Sequence, residues 1–185
     1  MLGLDFGILD IDLPETPASG EPPEDYVRRV AREKAGAGLL RMVGQPAAVV
    51  LGADTEVVLD GRIFGKPAGA DDAAQMLRTL SGRTHAVISA ISMVSAGRER
   101  QAVSISEVTF APIGEDDIGM YIAAGEWDGK AGAYAIQGLA QSFIAHLSGS
   151  YTGVMGLPLH ETATLLRHFG LFPALHRPAS KGRAP

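Results

Sequence analysis

Apolar residues in this chain fall in short runs punctuated by glycine and proline, and most runs have a readable period. Residues 1–12 alternate weakly and read as a loop running into a strand. Pro14 to Pro23 is turn-rich. Pro22-Pro23-Glu24-Asp25 then opens a helix, with proline tolerated in the first turn and acids favoured at the positive end of the dipole. That helix runs to about Met42, with an apolar stripe of Tyr26, Val27, Val30, Ala31 and Gly38. Lys34 falls on the same stripe, four residues after Val30. It either snorkels along its stem or points into a cleft and meets an anion.

Ala48–Leu51 is short enough to be a buried strand. Gly52-Ala53 lets the backbone pass closely, and Asp54-Thr55 follows at the strand's mouth. Val57–Leu59 and Ile63-Phe64 flank Asp60-Gly61, a strong hairpin signal because a type I′ turn needs positive φ at both positions. Gly65-Lys66-Pro67 closes the stretch. Asp71–Leu80 reads as an amphipathic helix ended by Ser81-Gly82, with glycine in the C′ role. Ala86–Val94 and Val103–Phe110 alternate on either side of Ala96-Gly97 and predict an antiparallel hairpin. Glu115–Ala124 is a helix closed by Gly125. Glu126–Gly138 has neither helical nor strand period and reads as a loop that wraps something or merely connects. Ser142–Leu147 is a strand, Gly149–Gly153 a turn, and Leu159–Phe169 a helix ended by Gly170. The tail from Phe172, with several prolines and basic residues, reads as disordered. The mixture predicts one α/β domain over residues 1–170, with a mixed twisted sheet flanked by helices.

Composition narrows the function. The chain has 185 residues, 46% apolar and 20% charged, enough for a sizeable core. It has no cysteine, which excludes thiolate metal sites and cysteine nucleophiles. Its five histidines lie far apart, without zinc-ligand spacing. A net charge of −5 argues against bulk binding of nucleic acid or an anionic membrane. No apolar run approaches the roughly 20 residues of a spanning helix, and the start lacks a signal peptide's basic residues. A cytoplasmic protein is the expectation. The Ala48–Pro67 stretch places one carboxylate and, a hairpin later, one ammonium, a pairing that suits a cation on one side and a polyphosphate on the other.

Four ordered blocks carry a resemblance. They are Leu51–Pro67 (LGADTEVVLDGRIFGKP), Leu80–His85 (LSGRTH), Asp128–Gly138 (DGKAGAYAIQG) and Gly149–Thr162 (GSYTGVMGLPLHET). With Glu15-Thr16-Pro17, Glu24–Val27 and Arg32–Ala35 upstream, the chain resembles the Maf family of nucleoside triphosphate pyrophosphatases over about residues 4–169. Several ordered blocks are far more specific than one short motif. The resemblance implies a mixed α/β body of two lobes around a cleft, similar to the inosine triphosphatase proteins, and a homodimer. It implies hydrolysis of a nucleoside triphosphate to monophosphate and pyrophosphate, with Mg²⁺ or Mn²⁺. It also implies non-standard or pyrimidine nucleotides as substrates and a link to restraint of cell division.

Residue by residue, the resemblance puts Asp54 at the family's catalytic acid, as base for the attacking water or as ligand of the metal that activates it. Glu15 is implied as a second metal ligand, or else a solvated loop acid; Mg²⁺ takes one or two carboxylates plus phosphate oxygens. Lys34 and Lys66 would neutralise phosphate charge. Thr55 and Gln137 occupy the positions that threonine and glutamine hold in the dTTP- and UTP-acting subgroup. Arg83, Asp128, Lys130 and Ser150 fall in matched blocks as cleft-lining candidates or as surface pairs.

One departure stands out. The family opens with a strand and an S-x-S-P-R-R loop whose amides would hold phosphate at a helix N-terminus. The sequence as written has no such segment, and roughly 15–20 residues of the family pattern would lie upstream of it. A start site placed too late is the preferred reading. A chain truly lacking the loop would be a catalytically silent nucleotide-binding or regulatory protein, and its unfinished sheet would expose an edge.

Overall fold

A computed structural model describes residues 3–171; the expectation of a disordered tail from Phe172 lies outside them. The first helix, α1 (Pro23–Arg41), starts at the prolines as predicted and ends at Met42. Its buried face is Tyr26, Val27, Val30, Ala31, Ala35 and Gly38. No strand forms over the described part of residues 1–12, which is extended loop.

Strand β1 (Val49–Leu59) runs unbroken through Gly52 and Asp54. Asp54 therefore sits in mid-strand rather than at a strand mouth. The close backbone approach expected at Gly52 is present. A Cβ there would lie 2.4 Å from the Ala31 carbonyl and 2.5 Å from the Ala35 nitrogen, so its missing side chain lets α1 rest directly on β1. The hairpin to β2 (Arg62–Phe64) turns at Asp60 and Gly61, with φ of 52° and 75°, the double positive φ that Asp-Gly predicts.

After α2 (Ala70–Leu80), β3 (Thr84–Ser95) and β4 (Arg98–Phe110) form the long antiparallel hairpin. Both are longer than expected. Helix α3 (Glu115–Ala124) ends on left-handed Gly125. Strand β5 spans Ile144–Ser148, its predicted first residues being a 3₁₀ segment, Leu139–Phe143. The expected Gly149–Gly153 turn contains a one-turn helix, α4 (Tyr151–Val154), and α5 (Leu159–His168) closes the described chain.

The strand order is β2-β1-β3-β4-β5, with every ladder antiparallel. The α/β class and the flanking helices hold; among the described residues the sheet is antiparallel rather than mixed. Two-residue periodicity sorts the core. Val58, Ile88 and Ala90 meet α1 on one face. Val57, Leu59, Val87, Val108 and Phe110 meet α2, α3 and the 131–143 segment on the other, where Ile91 and Met93 also pack on α5. No described helix is long and apolar enough to cross a membrane.

One consequence of strand length shapes the site. β2 pairs only with residues 57–59 of β1, while β3 pairs with 49–58. Beside Asp54 and Thr55, β1 has no strand partner on its β2 side among the described residues.

Candidate active site

Adjacent strand residues point to opposite faces. Asp54 therefore looks toward α1, and Thr55 looks away from it. Both nevertheless line one hollow of about 260 Å³, with Lys34, Lys66, Lys130 and Gln137. They share it because the hollow wraps around the open edge of β1. Its far wall is the segment without period: Gly129 to Gln137 lies against the strand. Gly132, with φ of 65°, seats this wall. Its N–H donates to the Gly65 carbonyl at 3.2 Å, and a Cβ there would come within 2.8 Å of Val57. The loop wraps something, and what it wraps is the hollow.

On the α1 side, four charges form a chain. Lys66 Nζ is 2.8 Å from Glu15 Oε2, Glu15 Oε1 is 2.6 Å from Lys34 Nζ, and Lys34 Nζ is 2.8 Å from Asp54 Oδ1. Lys34 on the apolar stripe thus has its reason: it leaves the helix face to hold two carboxylates. Burial works against its charge, but the hydrogen bonds and charges of Asp54 and Glu15 outweigh that and hold its ammonium above the usual lysine range. Burial raises Asp54, and Lys34 only partly offsets it, so the net direction is up. Burial also works to raise Glu15, but the two lysines overcome it and the net direction is down. Asp54 Oδ2 is buried without a partner.

The sequence reading passed over Glu56. It lies two residues past Asp54, on the same strand face, buried, with Oε2 unpartnered. Burial first, then the charges of Asp54 and Glu15, push its carboxyl up to about 8. The signal was present in the strand alternation, but Val57-Val58-Leu59 drew the eye to apolar packing. Also missed was Tyr134, a wall of the hollow whose hydroxyl lies 2.9 Å from Nε2 of buried His85.

On the Thr55 side, Thr55 Oγ1 is 2.7 Å from Ser89 Oγ, its direct partner in the β1–β3 register. Gln137 is exposed on the hollow.

Four expected residues do not line the hollow: Glu15 stands between Lys34 and Lys66, and three others lie apart. Arg83 pairs with Asp60 at 2.6 Å, both largely exposed, and braces the β1–β2 turn. Asp128 is exposed in the turn before Lys130. Ser150 caps α4, its Oγ accepting from the Gly153 N–H at 3.0 Å.

Asp54 and Glu15 are the residues that could hold a divalent cation. Two carboxylates, one with a buried unpartnered oxygen, stand beside ammonium groups that can take phosphate charge. Among the described residues no cluster of three or more acidic or histidine ligands forms, so phosphate oxygens would complete the shell.

Comparison with known proteins gives the family. A family model described as Maf-like protein matches residues 1–169. The chain is 57% identical over 171 residues to a protein named dTTP/UTP pyrophosphatase from Xanthomonas euvesicatoria, covering 91% of this chain and 90% of that one. It is 54% identical over 169 residues to a nucleoside triphosphate pyrophosphatase of Xylella fastidiosa, covering 91% and 89%. It is equally identical, over 91% and 83%, to a dTTP/UTP pyrophosphatase of Methylococcus capsulatus. Sequence blocks, sheet and relatives converge: this chain belongs to the Maf family.

Proposed function

We propose that this chain hydrolyses nucleoside triphosphates, dTTP and UTP foremost, to the monophosphate and pyrophosphate. The observation that carries the reading is the unbroken charge chain Lys66–Glu15–Lys34–Asp54, whose two lysines and Asp54 line one hollow. The names of the relatives support the reaction and the pyrimidine preference.

The step is a water attack on the α-phosphorus. A bond forms from the water oxygen to phosphorus, the bond from phosphorus to the bridging oxygen breaks, and pyrophosphate leaves with the electron pair. Asp54 accepts the water's proton at Oδ2, the oxygen that Lys34 leaves free. Burial makes that carboxylate a better base than an exposed aspartate. Lys34 and Lys66 trade part of their hold on Glu15 for phosphate oxygens and balance the charge that builds on pyrophosphate. Lys130, at the rim, adds a third ammonium. In the alternative role of Asp54, as metal ligand with Glu15 instead of base, the two carboxylates would hold a Mg²⁺ or Mn²⁺ ion that, when bound, would neutralise phosphate charge and polarise the water.

The test is a panel of nucleoside triphosphates with Mg²⁺ or Mn²⁺, reading both products. Equimolar UMP and pyrophosphate from UTP is expected, and Asp54→Asn should lower the rate at least about 100-fold while melting as a folded protein. Release of orthophosphate would overturn the reaction class. Nucleotide binding without turnover would leave a regulatory binder in its place.

A further inference from the structure

Ser89 is fully buried in the centre of β3, yet it is polar and sits under the Thr55 side of the hollow. Its hydrogen bonds can be assigned atom by atom. Ser89 Oγ lies 2.6 Å from the Gly153 carbonyl, which can only accept. Ser89 therefore spends its one proton there. Thr55 Oγ1 lies 2.7 Å from Ser89 Oγ, and one of the two must donate. Ser89 has nothing left to give, so Thr55 donates. Its 3.4 Å approach to the Gly156 carbonyl is a poor alternative. The Thr55 hydroxyl thus has its proton turned inward, and only lone pairs remain for whatever enters the hollow.

The α4 turn makes this arrangement rigid. Ser150 caps it through the Gly153 N–H, and Gly153 lies against Ser104, where a Cβ would come within 3.0 Å of the hydroxyl. The Gly153 carbonyl is held over Ser89 from both sides.

We propose that Ser89 is a positioning residue that makes Thr55 an obligate acceptor, and that this selects a base carrying N3–H, uracil or thymine, against cytosine. The inference rests on the pyrimidine triphosphate reading above and adds the group that sets the preference. Uracil and thymine present a donor at N3; cytosine presents a bare lone pair there. An acceptor-only hydroxyl bonds the first and repels the second. Gln137 cannot make this distinction alone. Its amide offers donor and acceptor ends, and rotation about its last torsion swaps them. A free threonine hydroxyl would be equally indifferent. Ser89 removes that freedom from 2.7 Å away, without touching substrate.

The experiment measures kcat/KM for UTP and CTP in the wild type, Ser89→Ala, Thr55→Val and the double variant, with thermal melts as folding controls. The wild type should prefer UTP by about tenfold or more, since a site that hydrogen-bonds a group rejects the analogue lacking it. Ser89→Ala frees the Thr55 proton, and the UTP/CTP ratio should fall about tenfold, with KM for CTP dropping as KM for UTP rises. Thr55→Val removes the hydroxyl and should lower the ratio as well. In that background, Ser89→Ala should change the ratio no further. A Ser89→Ala ratio equal to wild type overturns the proposal, as does a further fall in the double variant. If Ser89→Ala does not fold, Thr55→Val alone decides: an unchanged ratio overturns the proposal. A wild type that turns over no pyrimidine triphosphate overturns the functional reading itself, a result distinguishable from the others.

Discussion

Lys34 and Asp54 stand 20 positions apart in sequence and 2.8 Å apart in space, joining the middle of α1 to the middle of β1. The same ammonium also reaches Glu15, so one lysine serves two carboxylates. Lys34→Met should leave both acids without this partner. The network is partly buried, between the regimes of surface and interior pairs, so a loss of about 2 kcal/mol is expected. Adding Asp54→Asn should recover part of it, because the buried charge that lost its partner is gone. Urea unfolding of the four proteins in that cycle measures the coupling, and additive losses would show that the pair contributes nothing of its own.

Gly52 controls whether that pair can form. A Cβ at this position meets two backbone atoms of α1 at 2.4 and 2.5 Å, and no rotamer change moves a backbone. Gly52→Ala should therefore push α1 off β1 and cost about 3 kcal/mol or more. Gly36, on the same helix with open space around it, is the contrast. Gly36→Ala should stabilise by about 0.5–1 kcal/mol through helix propensity and a less free unfolded chain. Two glycine-to-alanine changes of opposite sign in one denaturation series would establish the contact.

His85 predicts an acid limit. It is buried against Phe110 and Tyr134, with ring centroids 5.0 and 5.5 Å away, and Nδ1 has no partner. Burial brings its pKa down to about 4 from an ordinary 6.5. Between those values the unfolded chain holds a proton that the folded chain refuses. The contribution is complete above pH 6.5 and is lost as pH falls toward 4, at about 3 kcal/mol in all. Stability measured from pH 7 to 4 should fall along that window in the wild type. Much of the slope should vanish in His85→Gln, and an unchanged slope would place the titration elsewhere.

The elements that periodicity describes were readable before any coordinates. The α1 stripe, the Asp60-Gly61 hairpin and the β3–β4 pair follow from local pattern, and Lys34 announced itself as a charge on an apolar face. What local pattern could not show was register and contact across the sheet. Gly52 was legible as a close backbone approach, but only the position of α1 tells that it is the Ala31 carbonyl and the Ala35 nitrogen that come close. Glu56 was hidden among apolar neighbours, although its alternation with Asp54 puts it on the same face. Ser89 had no meaning until the ladder placed it opposite Thr55. Arg83 and Ser150 lie in matched blocks but spend their polar groups on a turn and a helix cap. A motif collects residues that hold a site's frame together with those that touch what enters it.

The base-contact proposal puts Gln137 in the second kind. It is exposed at the wall of the hollow, and among the described residues its amide has no hydrogen-bond partner. Removing it should leave stability within about 0.5 kcal/mol of wild type, as for other exposed positions. A hydrogen bond to the base, in contrast, contributes about 1 kcal/mol of binding, more when its partner would otherwise be left unpaired. Gln137→Ala should therefore raise KM for UTP about tenfold, corresponding to roughly 1.4 kcal/mol. The turnover number should change less, because the amide belongs to neither the Lys66–Glu15–Lys34 nor the Lys34–Asp54 ion pairs. Gln137→Glu sharpens the test, since an ionised carboxylate can accept but not donate. A tenfold loss in both variants would mean the base needs the amide's N–H. A loss in alanine that glutamate restores would mean it needs the carbonyl, and no change in either would put the base elsewhere in the hollow.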